Sequence, residues 1–179
     1  MSTSPASPPP TSPGDTLKVD AAVIRGLMLR LSHLTRHEIA RMVSEFGITF
    51  AQYTALVALF RRPDGCTMGE LAEAVLQVAA TTTGIVDRLA ERGLVQRRQD
   101  PADRRAWRVS LTAAGEQLMA EIELARQAWS ERVLAHFVPA DRHALRRLLK
   151  LYRDAIDDEL AADEPAADEP AAEGKPHAR

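Results

Sequence analysis

"RRQDPADRRAWRVSLT", residues 97–112, decides how the chain is read. Asp100-Pro101-Ala102-Asp103 holds residues that close a turn. Gly93-Leu94-Val95 opens an apolar strand before it. Ala106 to Leu111 alternates after it, with Trp107, Val109 and Leu111 on one face and Arg108 and Ser110 on the other. The stretch is therefore expected to be a β-hairpin, with Arg104 and Arg105 near the tip and Arg97 and Arg98 on the stem. Residues 97–108 carry five arginines against Asp100 and Asp103, a net of +3. An arginine at a hairpin tip can enter a narrow minor groove, where the potential of DNA is most negative. Asp103 can hold a neighbouring guanidinium through a charge-assisted hydrogen bond. A solvated charged turn has the same composition, so the flanking elements decide.

Upstream the spacing is helical. Ile24, Leu27, Met28, Leu31, Leu34, Ile39, Met42, Val43 and Phe46 recur at close to helical intervals, and Gly47 ends the run. Thr49 with Gln52 forms a capping box that opens a second helix, Phe50 to Arg62, which Pro63-Asp64-Gly65 breaks. Thr67 with Glu70 repeats the device for a short third helix to about Val75. Ala79 to Arg92 reads as a fourth, with Ile85, Val86 and Leu89 inward and no evident side-chain cap. After the hairpin, Thr112 caps a long fifth helix to about Phe137. Pro139 suits the first turn of a sixth, which carries Leu145, Leu148, Leu149, Tyr152 and Ile156. The expected fold is mainly α with a small two-stranded β-wing: a winged helix-turn-helix between long flanking helices.

A short helix, a turn, a second helix and a basic hairpin suit duplex DNA. A helix fits the major groove, and its N-terminal residues reach base edges. Thr81, Thr82 and Thr83 start the fourth helix, where small hydroxyls can bond phosphates or touch a thymine methyl. Arg88 can reach a phosphate or a guanine. An ordinary helix start with a solvated arginine would look the same, and only the hairpin that follows favours the DNA reading.

The overall charge of −2 conceals an asymmetry. Residues 155–179 hold eight acids against Lys175 and Arg179, a net of −6, so the rest of the chain carries +4. A mildly basic body is compatible with a nucleic-acid partner. The Pro- and Ser-rich residues 1–16 are expected to be a disordered arm rather than a signal peptide, and residues 161–179, with their repeated AADEP, a disordered acidic tail. Cys66 stands alone, which excludes a disulfide within the chain and fits a reducing cytoplasm. No apolar run approaches a membrane span.

Enzymatic readings fare badly. Cys66 sits beside Gly65 at a helix start, with no His near it in sequence to complete a catalytic set. His33 and His37 share a helix face, yet no further Cys or His accompanies them as zinc ligands. Trp129 and Tyr152 read as core or dimer contacts. No enzyme, metal or cofactor is expected.

The run "TTTGIVDRLAERGLVQRRQDPADRRAWRVSLTAAGEQL", residues 81–118, resembles the MarR family of bacterial transcription regulators. Its D-P-x-D-R-R loop, followed by V-x-L-T and a new helix, is similar to that family's wing. The resemblance covers roughly residues 17–160. It implies a homodimer joined through helices at about 17–46 and 113–160, with residues at about 48–112 binding double-stranded DNA at a pseudo-palindromic operator. It further implies that Arg105 enters the minor groove, that Asp103 braces the wing, and that Thr83 occupies a common Ser or Thr position of the recognition helix. Gly84 departs from the family, where a larger, often polar residue is usual. The resemblance also implies a small-molecule effector, often an aromatic acid or phenol, in a crevice near the first two helices. His33, His37 and Tyr53 are the polar groups expected there. The alternative is a winged-helix interaction module that acts through a partner protein, with the acidic tail as its contact.

Overall fold

The computed structural model describes residues 13–76, 78–100 and 107–163, which fall into two compact units divided between Ala128 and Trp129. The first unit contains α1 (Pro13–Glu45), α2 (Phe50–Phe60), β1 (Cys66–Thr67), α3 (Met68–Ala74), α4 (Ala79–Glu91), β2 (Val95–Gln99), β3 (Trp107–Leu111) and most of α5 (Ala113–Leu134). The second unit holds the end of α5 and α6 (Pro139–Asp163).

Both capping boxes form. The Gln52 N–H donates to Thr49 Oγ1 at 3.2 Å, and the Thr49 N–H donates to Gln52 Oε1 at 2.9 Å. The Glu70 N–H likewise donates to Thr67 Oγ1 at 3.2 Å, and the Thr67 N–H to Glu70 Oε2 at 2.7 Å. The hydrogen bond from the Thr67 backbone is the first cause holding the Glu70 carboxyl below its ordinary range. At α4 the cap residue is Val78, which makes no side-chain cap bond. The turn before it places Leu76 at φ 52, in the left-handed region.

Three boundaries differ from expectation. The sheet has three strands in the order β1-β3-β2, all neighbours antiparallel, rather than two. Cys66 and Thr67 pair with Val109 and Arg108, and a two-residue strand is too short to show alternation in a sequence. Gly65 permits the approach: it has φ +74, and a Cβ there would stand 2.5 Å from the Val109 carbonyl oxygen. α1 begins at Pro13, inside the expected arm, because proline in a first helical turn forfeits no hydrogen bond. α6 likewise continues to Asp163. Residues 1–12 and 164–179 lie outside the described residues.

The core gathers Val43 from α1, Leu56 and Leu59 from α2, Leu71 from α3, Val86 and Leu89 from α4, Val109 from β3 and Ile122 from α5, all fully buried. Cys66 belongs to it. Burial, the largest influence, pushes its thiol up, which keeps it protonated at neutral pH. Only the last turns of α1 enter this core; Ile24, Leu27, Leu31 and Leu34 are exposed. In the second unit, Leu148, Leu149, Tyr152, Ile156 and Leu160 of α6 are also exposed. Among the described residues, no single helix is long and apolar enough to cross a membrane.

Two long-range contacts fix α4 and the sheet. Arg92, the C-cap of α4, donates from Nη1 to the Gly47 carbonyl at 2.7 Å, tying α4 to the chain just beyond α1. Thr112 Oγ1 donates to the Gly93 carbonyl at 2.6 Å and accepts from the Gly115 N–H at 3.1 Å, joining the base of the hairpin to α5.

Two glycines in regular helix make opposite predictions. Nothing lies within 4 Å of a Cβ built on Gly84, whereas one on Gly115 would collide with the Leu94 carbonyl oxygen. Gly84→Ala should stabilise the fold by about 0.5–1 kcal/mol through helix propensity. Gly115→Ala should cost about 1–3 kcal/mol through overpacking. Urea unfolding checks both, and shifts of the same sign would contradict this packing.

Candidate nucleic-acid interface

The inward stripe of α4 is Thr82, Ile85, Val86 and Leu89, at intervals of three, four and seven residues. Thr82 is therefore turned into the core, at 0% exposure, with its hydroxyl donating to the Val78 carbonyl at 3.3 Å. That removes it from the DNA-facing residues expected from the sequence. Thr81, Thr83 and Arg88 stand on the outer face. The Thr83 hydroxyl donates to the Ala79 carbonyl at 3.0 Å. Its proton is committed, so it offers a methyl group and an acceptor outward.

The wing stem pairs β2 with β3 from Val95↔Leu111 to Gln99↔Trp107. Arg97 Nη2 contacts Asp87 Oδ1 at 2.7 Å, linking β2 to the recognition helix. Arg98 is exposed and donates to Gln96 Oε1 at 3.1 Å. Arg108 turns inward along the sheet. It donates to the Gly65 carbonyl at 2.7 Å, the Asp64 carbonyl at 3.3 Å and Asp100 Oδ2 at 3.1 Å. Two of the wing's arginines are thus struts. Arg97 fastens the wing to α4, and Arg108 fastens it to the loop before β1. Asp103, Arg104 and Arg105 lie outside the described residues.

Sequence reasoning missed Asp87, Asp100 and Arg108 as positioning groups. Asp87 and Arg97 are ten positions apart on different elements, so no periodicity joins them. Arg108 was visible only as part of a basic run.

Of the three expected effector residues, Tyr53 lines a cleft. It is buried, and Thr54, Val57, Ala58, Arg61, Arg62 and Ala74 line the same cleft, of about 630 Å³. Burial is the main cause raising its phenol pKa; Arg126 opposes it, Glu123 adds to it, and Arg61 opposes it again. His33 and His37 are exposed on α1 and do not line this cleft. Among the described residues, no group of three or more His, Cys, Asp or Glu side chains is placed to hold a metal ion.

A helix-turn-helix, a wing strapped to its second helix and an outward row of small hydroxyls and arginines together describe a DNA-binding module. A family model described as the MarR family matches residues 46–106, from the end of α1 into the wing. The HTH-type transcriptional repressor NicR of Pseudomonas putida is 34% identical over 149 residues, 82% of this chain and 93% of that protein. The uncharacterized HTH-type transcriptional regulator YsmB of Bacillus subtilis is 33% identical over 96 residues, 54% of this chain, and the match spans 65% of its own length. A solved MarR family protein from Bacillus stearothermophilus shares the fold at a TM-score of 0.71 and 25% identity, over 78% of this chain and 97% of that one. These relatives are transcription regulators, not enzymes. The chain belongs to the MarR family of transcription regulators.

Proposed function

We propose that this chain is a homodimeric, sequence-specific DNA-binding repressor of the cytoplasm, released from a pseudo-palindromic operator by a small-molecule ligand. One observation carries the DNA-binding part. The Arg97–Asp87 contact joins the outer face of α4 to the wing stem, and Thr81, Thr83, Arg88 and Arg98 are exposed on those two elements. The helix enters the major groove, and Arg105 at the wing tip enters the adjacent minor groove, with Arg104 beside it and Asp103 bracing the turn. Dimerisation is supported by the uncovered leucines of α1 and, separately, of α6. Surfaces of that kind are rarely left to water in a lone chain. Two-fold symmetry then sets the recognition helices about 34 Å apart, one turn of DNA. The repressor role follows the name given to the Pseudomonas relative.

A mobility-shift titration on the DNA upstream of the chain's own coding region tests this, alongside light scattering for a mass twice 19.6 kDa. Arg105→Ala should weaken operator binding by about 1–3 kcal/mol, as for one lost groove contact. Arg98→Ala should weaken binding to all sequences alike and lower the salt slope by about one. Wild-type affinity in Arg105→Ala would contradict the wing's role. Failure of the unaltered protein to bind any duplex would favour the partner-protein alternative.

The ligand part rests on Tyr53, a potential hydrogen-bond donor that lines a cleft together with Arg61 and Arg62. His33 and His37 remain candidates for pairing with a ligand carboxylate. A ligand can release DNA only by favouring the non-binding state by several kcal/mol, roughly 5 for a near-complete switch. Aromatic carboxylates titrated into the operator complex should release wild type at lower concentration than Tyr53→Phe or His33→Ala. Equal sensitivity in a variant would remove that residue from the site.

A further inference from the structure

Trp107 ends the hairpin stem, paired with Gln99. It shares a strand face with Val109, which is fully buried, but stands one pleat nearer the tip, about 6–7 Å along the strand. The core has run out there, and 51% of the residue's surface stays open. Around it, Met68 of α3, Thr83 of α4 and Arg97 of β2 line an open concavity of about 460 Å³. The supporting helix, the recognition helix and the wing therefore meet at one half-exposed indole. Among the described residues, Trp107 stands outside the buried core.

The helix beside it is short of reach. Ala79, Ala80, Thr81, Thr83 and Gly84 offer no outward side chain longer than threonine, and the space over Gly84 is empty to 4 Å. A duplex can approach such a surface closely. The Arg97 charge is met by Asp87, while Arg98 and Arg88 stay exposed to attract phosphates. What remains at the junction is apolar.

We infer that Trp107 is a DNA-contacting residue whose indole lies against the deoxyribose and thymine-methyl surface of the duplex, between the bases faced by α4 and the groove entered by the wing. This rests on the DNA-binding reading above. The contact is apolar, so its share of the affinity is independent of salt, unlike that of the arginines. An aromatic side chain suits it, because it covers a large area while losing little rotamer freedom.

The test uses the full chain and a duplex enriched by the wild-type protein from a random-sequence library. The chain has two tryptophans, so Trp129→Phe leaves Trp107 as the sole tryptophan, read by excitation to the red of tyrosine absorption. Saturation with the duplex should shift and quench its emission. Trp107→Ala should bind about tenfold more weakly, as for one lost base-edge contact, with an unchanged slope of log Kd against log salt. Trp107→Phe should recover most of the loss. Affinity equal to wild type in Trp107→Ala overturns the inference, whatever the emission does. A loss accompanied by a shallower salt slope also overturns it, because the arginines would then have moved instead. If the wild-type protein enriches no duplex, the DNA-binding reading falls and takes the inference with it; if it enriches one and Trp107→Ala is unaffected, the inference alone falls.

Discussion

Val109 is fully buried and paired on both edges, with Cys66 on one side and Arg97 on the other. The placement of the wing on the body follows from the register of that one strand. Slipping β3 by a single residue would exchange the faces of Val109 and Arg108, driving a guanidinium into the core. In the register observed, Arg108 instead reaches the carbonyls of Asp64 and Gly65, and Asp100 receives its other nitrogen. The strand therefore fixes where the wing leaves the body. The close approach at Gly65 lets β1 lie beside it.

The Arg97–Asp87 pair acts through geometry more than through stability. Its two side chains are 36% and 47% exposed, and a pair so open to water contributes about 0.2–1 kcal/mol at most, less in salt. What it does is limit how the stem can swing relative to α4. The cost is charge: a guanidinium held by a carboxylate attracts phosphate less strongly. Arg108 is committed in the same way to Asp100. The wing's net +3 in sequence thus overstates what the described stem presents, and Arg98 becomes its main open cation.

The helices were legible wherever one local rule sufficed. Thr49 and Gln52, Thr67 and Glu70, and Pro139 mark their starts within a few residues, and Gly93 marks the end of α4. The burial of Thr82 was legible too, had its three- and four-residue spacing to Ile85 and Val86 been followed rather than its chemistry. What could not be read depends on contacts between distant positions. β1 is two residues long and exists only through β3. Arg92 finds the Gly47 carbonyl 45 positions away. The half-exposure of Trp107 depends on where the core stops, which alternation along the strand does not reveal.

The central claim is that the outer face of α4 and the wing engage one duplex together, twice over in a symmetric dimer. Hydroxyl-radical footprinting of the wild-type protein on an enriched duplex tests this most directly. It should give two sets of protected backbone positions related by a two-fold axis, with centres about one helical turn apart. Each set should extend from the major groove into the neighbouring minor groove. A single protected set, or protection that stops at the major-groove edge, would contradict the account.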